Sequence, residues 1–226
     1  HSLVGANTAM LEILRDNVDL LGLTATPSQF DSTISRTRNM LIEQSIDLTL
    51  YENIDYENPT NLSFTVGLQN KAGHKFPSGY ASRRAFIEAI VVQYDDTLFH
   101  SGKMDSSGSR ILGSDDFGLD AFEPHYDIIT DESQVLIYEL VAADINSSPT
   151  NVLEQAYITV KDNRLVPKGF SMNHSAYDTT RLEGAVLDDD NFNIIEATGE
   201  SGSGSDKIVY QMPVNPEFNL VDWDNP

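Results

Sequence analysis

Residues 85–94, AFIEAIVVQY, form an apolar run in which β-branched and aromatic side chains dominate. Turn signals close it at both ends, so it reads as a buried strand that the other elements must cover. Ahead of it lies the loop Gly73-His74-Lys75-Phe76-Pro77-Ser78-Gly79, then the pair Arg83 and Arg84. The two glycines permit positive φ or close backbone approach, and Pro77 fixes one φ and removes a donor. Asp95-Asp96 supplies the following turn, and residues 97–101 read as a return strand.

The chain before this run changes period once. Residues 7–23 carry Leu11, Leu14, Val18 and Leu21 on one helical face, with Asn7 or Thr8 as cap. Gly22 and the TATP turn end that helix, and Pro27 sits at the first position of a second one, whose buried face holds Phe30, Ile34, Met40 and Leu41. Such short helices cannot bury their stripes alone and need a partner surface. From Ile46 the period becomes two: Ile46, Leu48, Leu50, then Leu62, Phe64, Val66, Leu68, with Asn58-Pro59-Thr60-Asn61 as the break. Further strands are expected at 134–142, 156–160 and 207–212. Residues 102–133 and 187–206 read as long Gly-, Ser- and Asp-rich excursions, and Lys161–Pro167 as a polar bend. Two helices followed by about seven to nine strands suggest a mainly β fold, an antiparallel β-sandwich with a short N-terminal helical lead-in. A closed barrel is the alternative. The expected division is a helical lead-in at 1–45, a β-sandwich domain at 46–212 and an extended tail at 213–226.

Charge and composition exclude several functions. A net charge of −21 leaves no basic stripe for phosphates, which argues against nucleic acid, and it disfavours an anionic membrane surface. No apolar run reaches the roughly 18 residues needed to span a bilayer. Such acidity suits an extracytoplasmic setting, periplasmic or extracellular. Cysteine is absent, so this chain holds no disulfide, thiolate metal site, cysteine nucleophile or Cys-x-x-Cys-His haem attachment. The first residue, His1, is not methionine, which suggests a processed or excised segment. No nucleophile elbow, P-loop or dinucleotide fingerprint occurs.

Several segments are collinear with one pattern. They are Gly73–Gly79 with Arg83-Arg84, Glu123-Pro124-His125, Gln134-Val135-Leu136-Ile137-Tyr138-Glu139, Lys161–Phe170, Asp190-Asn191-Phe192 and Gly204-Ser205-Asp206-Lys207-Ile208-Val209-Tyr210. The opening HSLVGAN is similar to the HxFxGGN sequence that follows the last haem-attachment motif, with Leu3 and Ala6 as departures. Together they resemble the C-terminal portion of a family of multihaem c-type cytochromes. The resemblance implies a haem-free β-sandwich module packed on a haem-bearing portion or partner chain. It also implies electron transfer to redox partner proteins, with haem c carried outside this chain. Accessory electron transfer, rather than catalysis by its own residues, is the function expected.

The candidate site residues follow from chemistry. His1 is a candidate axial haem ligand, because a neutral imidazole nitrogen binds haem iron. His74 is a candidate iron or metal ligand or, alternatively, a structural residue bonding backbone groups freed by the Pro/Gly turn. His125 is a candidate zinc ligand beside His74, with Glu123 or Asp127 completing the set. On a strand, Arg83 and Arg84 face opposite ways, so the inward one needs a carboxylate such as Glu139, Asp127 or Asp162. Asp115, Asp116, Asp188, Asp189 and Asp190, with Asp120 and Asn191, offer oxygen ligands for calcium, against the reading of solvated acidic loops. A calcium-stabilised sandwich binding a carbohydrate or protein surface is therefore the alternative function.

Overall fold

A computed structural model of the chain describes residues 5–52, 61–79, 83–114 and 121–213. The Asn58–Thr60 break, Asp120 and the tail beyond Pro213 lie outside the described residues. The chain divides into two compact units, with the boundary between Asp47 and Leu48.

The first unit holds α1 (Thr8–Asp16) and α2 (Pro27–Met40). Asn7 caps α1, its side chain accepting from the Met10 amide at 2.9 Å. Thr26 and Gln29 form a reciprocal capping box on α2, and Pro27 takes the first-turn position where its missing N–H is harmless. The helices are tied by ion pairs from Arg15 to Asp31 and from Arg38 to Glu12. Only Ile34 and Thr37 are buried on α2, and no side chain on α1 is. The first helix ends at Asp16, shorter than the expected 7–23, and turns occupy the residues after it.

The second unit is mainly β. β1 (Ile46–Glu52) begins two residues before the boundary, and β2 (Asn61–Asn70), β3 (Ala85–Phe86), β4 (Ala89–Gln93), β5 (Asp96–Ser101), β6 (Ile128–Ile129) and β7 (Ile137–Tyr138) follow. They continue as β8 (Leu140–Ala143), β9 (Pro149–Thr150), β10 (Ile158–Asp162), β11 (Ile194–Ile195), β12 (Glu200–Ser201) and β13 (Ser205–Pro213). The largest sheet has the order β1-β2-β13-β6; β13 runs antiparallel to β2 from Asn61↔Pro213 to Gln69↔Ser205, and parallel to β6. The remaining strands form short antiparallel sheets: β10-β8-β9, β3-β7, β4-β5 and β11-β12. Phe99 of β5 meets Tyr210 of β13 edge-on at 6.1 Å and links two sheets, while Phe64 of β2 stacks on Tyr210, its cross-strand partner, at 4.9 Å. Ile129, Leu136, Ile137, Leu165 and Ile208 are fully buried between them.

Residues 85–94 do not make one strand. They split into β3, which pairs with β7, and β4, which pairs with β5 across a bulge. The break at Ile87-Glu88 is packed under Gly102, whose φ is +78° and where a Cβ would lie 2.3 Å from the Ile87 carbonyl oxygen. Only glycine fits that approach. Residues 134–142 divide in the same way, into β7 and β8, which pair with different neighbours. The largest correction concerns Lys161–Pro167. Read as a polar bend, it instead runs through the interior, with Lys161, Asp162, Asn163, Leu165 and Val166 all buried.

Candidate functional site

Strand alternation explains how an acid reaches the centre of the core. On β13 the buried positions are Asp206, Ile208, Tyr210 and Met212, so Asp206 shares the inward parity of the apolar residues. A buried carboxylate must find partners. Tyr138 on β7 donates its hydroxyl to Asp206 Oδ2 at 2.6 Å. The Nε2 of His125 lies 2.9 Å from Asp189 Oδ2 and 3.8 Å from Asp206 Oδ2. The three side chains are 1%, 2% and 0% exposed. Asp189 as a whole residue is 9% exposed, so its backbone, not its carboxylate, meets solvent. Its other oxygen accepts the amides of Asn191 and Phe192, which fixes the turn, and the Phe192 ring stands edge-on to His125 at 5.5 Å.

Asn163 completes the group from the far side of the imidazole. Its Oδ1 accepts the Glu139 amide at 2.9 Å, and its Nδ2 donates to the Ile137 carbonyl at 2.9 Å. Reversing the amide would set donor against donor and acceptor against acceptor, so two backbone groups fix its orientation. The second Nδ2 hydrogen faces His125 Nδ1 at 3.1 Å. An amide nitrogen only donates, so Nδ1 accepts and the ring proton sits on Nε2, directed at Asp189.

The same geometry tests the group as a cation site. His125, Asp189 and Asp206 each offer one ligand atom, all within 4.8 Å of one another, and they are the one such trio among the described residues. A neutral imidazole that ligates through Nε2 must carry its proton on Nδ1 and donate it to an acceptor. Here Nδ1 faces a donor. The arrangement therefore fits a proton better than a metal ion.

Burial decides the electrostatics. It pushes the Asp206 carboxyl up to about 6, with the hydrogen bond from the Tyr138 hydroxyl opposing the shift. Among the described residues Asp206 Oδ1 has no hydrogen-bond partner, which a neutral carboxyl tolerates far better than a charged one. Burial first, then the charge of Asp206, drives the Tyr138 hydroxyl well above its usual range. Asp127 is raised by burial and by Asp189, and it accepts from Asn191 Nδ2 at 2.8 Å. Beside the network, Lys161 donates to Glu139 Oε1 and to the Ile137 carbonyl, both at 2.9 Å, and desolvation lowers its pKa.

The sequence candidates are dispersed. His1, Asp115 and Asp116 lie outside the described residues. His74 is exposed, with Nδ1 3.0 Å from its neighbour's carbonyl oxygen, on Lys75; it does not join His125. Of the consecutive acids, Asp189 is turned into the core while Asp188 and Asp190 are exposed, so the three do not converge as a calcium set. Arg83 and Arg84 precede β3 rather than lying on a strand; Arg83 is half-buried and Arg84 exposed. Of the carboxylates named for them, Glu139 takes Lys161, and Asp162 takes Lys75 and Arg164. Asn163, Tyr138 and Asp206 join the site without any local sequence motif that marks them. For Asp206 the signal was its parity with Ile208 and Tyr210.

No family model, curated protein or solved structure matches this chain. Among the described residues, no helix is long and apolar enough to cross a membrane.

Proposed function

We propose that this chain is the haem-free C-terminal module of a multihaem c-type cytochrome, packing against haems held outside it and shielding them from water. The observation that carries this reading is convergence. The segments that bear the resemblance are distant in sequence yet touch one another. His125 of the EPH segment contacts Asn163 of KDNRL and Phe192 of DNF. Tyr138 of QVLIYE bonds Asp206 of GSDKI. Phe76 of the GHKFP loop exchanges both backbone hydrogen bonds with Leu165, and Lys75 pairs with Asp162. These long-range contacts place the segments in one folded unit, and that supports reading them as parts of a single module. The first unit adds support, because it exposes Met10, Ile13, Leu20 and Leu21, apolar side chains that a haem-bearing portion would cover. In this reading the redox chemistry belongs to iron bound elsewhere, and His1 is the candidate axial ligand.

The test is the full-length gene product, purified under native conditions and examined by reduced-minus-oxidised absorption spectroscopy and haem staining after denaturing electrophoresis. The expected result is covalently bound haem on a polypeptide that carries Cys-x-x-Cys-His motifs ahead of His1. A full-length product with neither motif nor haem overturns the reading.

A further inference from the structure

The chain has 14 Lys and Arg against 35 Asp and Glu, yet three of those cations line a single cleft of about 650 Å³. They are Lys75, Arg164 and Arg181, set against Asp162, Asp178 and Glu183 of the same lining, so the cleft is formally neutral where the whole chain carries −21. Asp162 sits between the first two. Its carboxylate accepts Lys75 Nζ at 2.8 Å, and Arg164 Nε and Nη2 at 2.8 Å each. One buried carboxylate thus answers two cations, and the trio keeps one positive charge. Arg164 commits the Nε–Nη2 edge of its guanidinium, and Nη1 has no partner among the described residues. Lys75 uses two of its three protons, on Asp162 and on the Arg181 carbonyl. Burial lowers the Lys75 pKa, which a second anion nearby would reverse. Arg181 meets Glu183 through Nε at 2.8 Å and is well exposed, and Asp178 also lines the cleft.

The walls are of a different character. Phe170 lies under the Lys75 ammonium at 5.8 Å, and Tyr157 is largely exposed. Cationic donors beside an aromatic wall suit a ligand with an anionic group on a flat or ring-shaped body.

We propose that this cleft binds a small organic carboxylate, gripped by Arg164 Nη1 and the Lys75 ammonium, with its ring against Phe170 and Tyr157 and Arg181 guarding the entrance. The preference for carboxylate over a simple inorganic anion comes from that wall, since a ring is needed to use it. The proposal does not depend on the cytochrome reading.

The experiment is a two-dimensional amide NMR titration of the chain with benzoate, with inorganic phosphate and with neutral benzyl alcohol. Benzoate is expected to give saturable shifts at Lys75, Arg164, Phe170 and Arg181, tighter than phosphate, while benzyl alcohol gives none. Arg164→Gln, which leaves Asp162 its Lys75 partner, should weaken benzoate about tenfold, the loss of one charge-assisted contact. Arg181→Ala, at an exposed position, should weaken it by roughly two- to fivefold with the rest of the spectrum unchanged. The proposal is overturned by absence of saturation, by phosphate or benzyl alcohol matching benzoate, or by an Arg181→Ala chain, folded by its spectrum, that binds benzoate as the parent does.

Discussion

Asn163 donates from Nδ2 to the Nδ1 of His125 across 3.1 Å, and it can do so in one orientation only, because Ile137 and Glu139 hold its amide from behind. A main-chain pattern thereby sets the tautomer of a buried imidazole, and through it the direction of the proton facing Asp189. The consequences are measurable.

Asn163→Asp replaces the donor at Nδ1 by an acceptor and withdraws a bond from the Ile137 carbonyl. The ring should then carry a proton on Nδ1, visible in its nitrogen chemical shifts. Stability in urea should fall by about 1–3 kcal/mol, the usual penalty for a buried group left unsatisfied. Unchanged ring shifts would mean that Asn163 does not set the tautomer.

Asp206 gives the chain a signed pH dependence. Its folded pKa of about 6 lies above the ordinary value for an unfolded aspartate, so the native state holds the extra proton between them. Its contribution is fully present below pH of about 4 and is lost as pH rises to about 6. Relative to Asp206→Asn, the parent should therefore lose on the order of 3 kcal/mol across that window. Urea unfolding of both proteins at acidic and neutral pH measures it, and parallel curves would contradict the assignment.

Lys161→Met leaves Glu139 buried without its ammonium. Breaking such a pair from one side costs about 3–5 kcal/mol, whereas the double change Lys161→Met with Glu139→Leu should recover much of it. A double-mutant cycle in urea provides the coupling, and additive losses would show the pair to be idle.

Zinc offers a fourth check. Since Nδ1 of His125 faces a donor, an excess of Zn²⁺ should leave the melting temperature of the chain unchanged. A saturable rise that disappears in Asp189→Asn would show that the imidazole abandons Asn163 for the ion.

Gly204 has φ +69°, and a Cβ there would approach the Lys168 amide nitrogen to 2.7 Å. Gly204→Ala should destabilise by more than about 1 kcal/mol, through strain and displacement of the adjoining turn. A thermal melt equal to that of the parent would mean that the Pro167-Lys168 backbone yields freely.

Alternation was readable wherever one face of a strand is buried over several residues. Leu62, Phe64, Val66 and Leu68 therefore announced β2. The continuous apolar run at 85–94 misled, since both halves are apolar but pair with different strands, and composition carries no record of pairing partners. Lys161, Asp162 and Asn163 misled in the opposite sense. Their polarity reads as a bend, although Glu139, Lys75 and His125 satisfy them inside. His125 and Asp189 are separated by too much chain for any local pattern to join them, and only the fold brings Asn163 up behind the ring.

The place of β13 in the sheet also orders events during synthesis. It is the final strand to leave the ribosome among those described, yet it fills the slot between β2 and β6. Nascent chains ending before Ser205 would already contain the imidazole, the phenol and the asparagine, but not the carboxyl that Tyr138 bonds. The core must therefore close after translation of this segment rather than progressively, and shortening the polypeptide by this one strand would leave two strand edges open to chaperones or to each other.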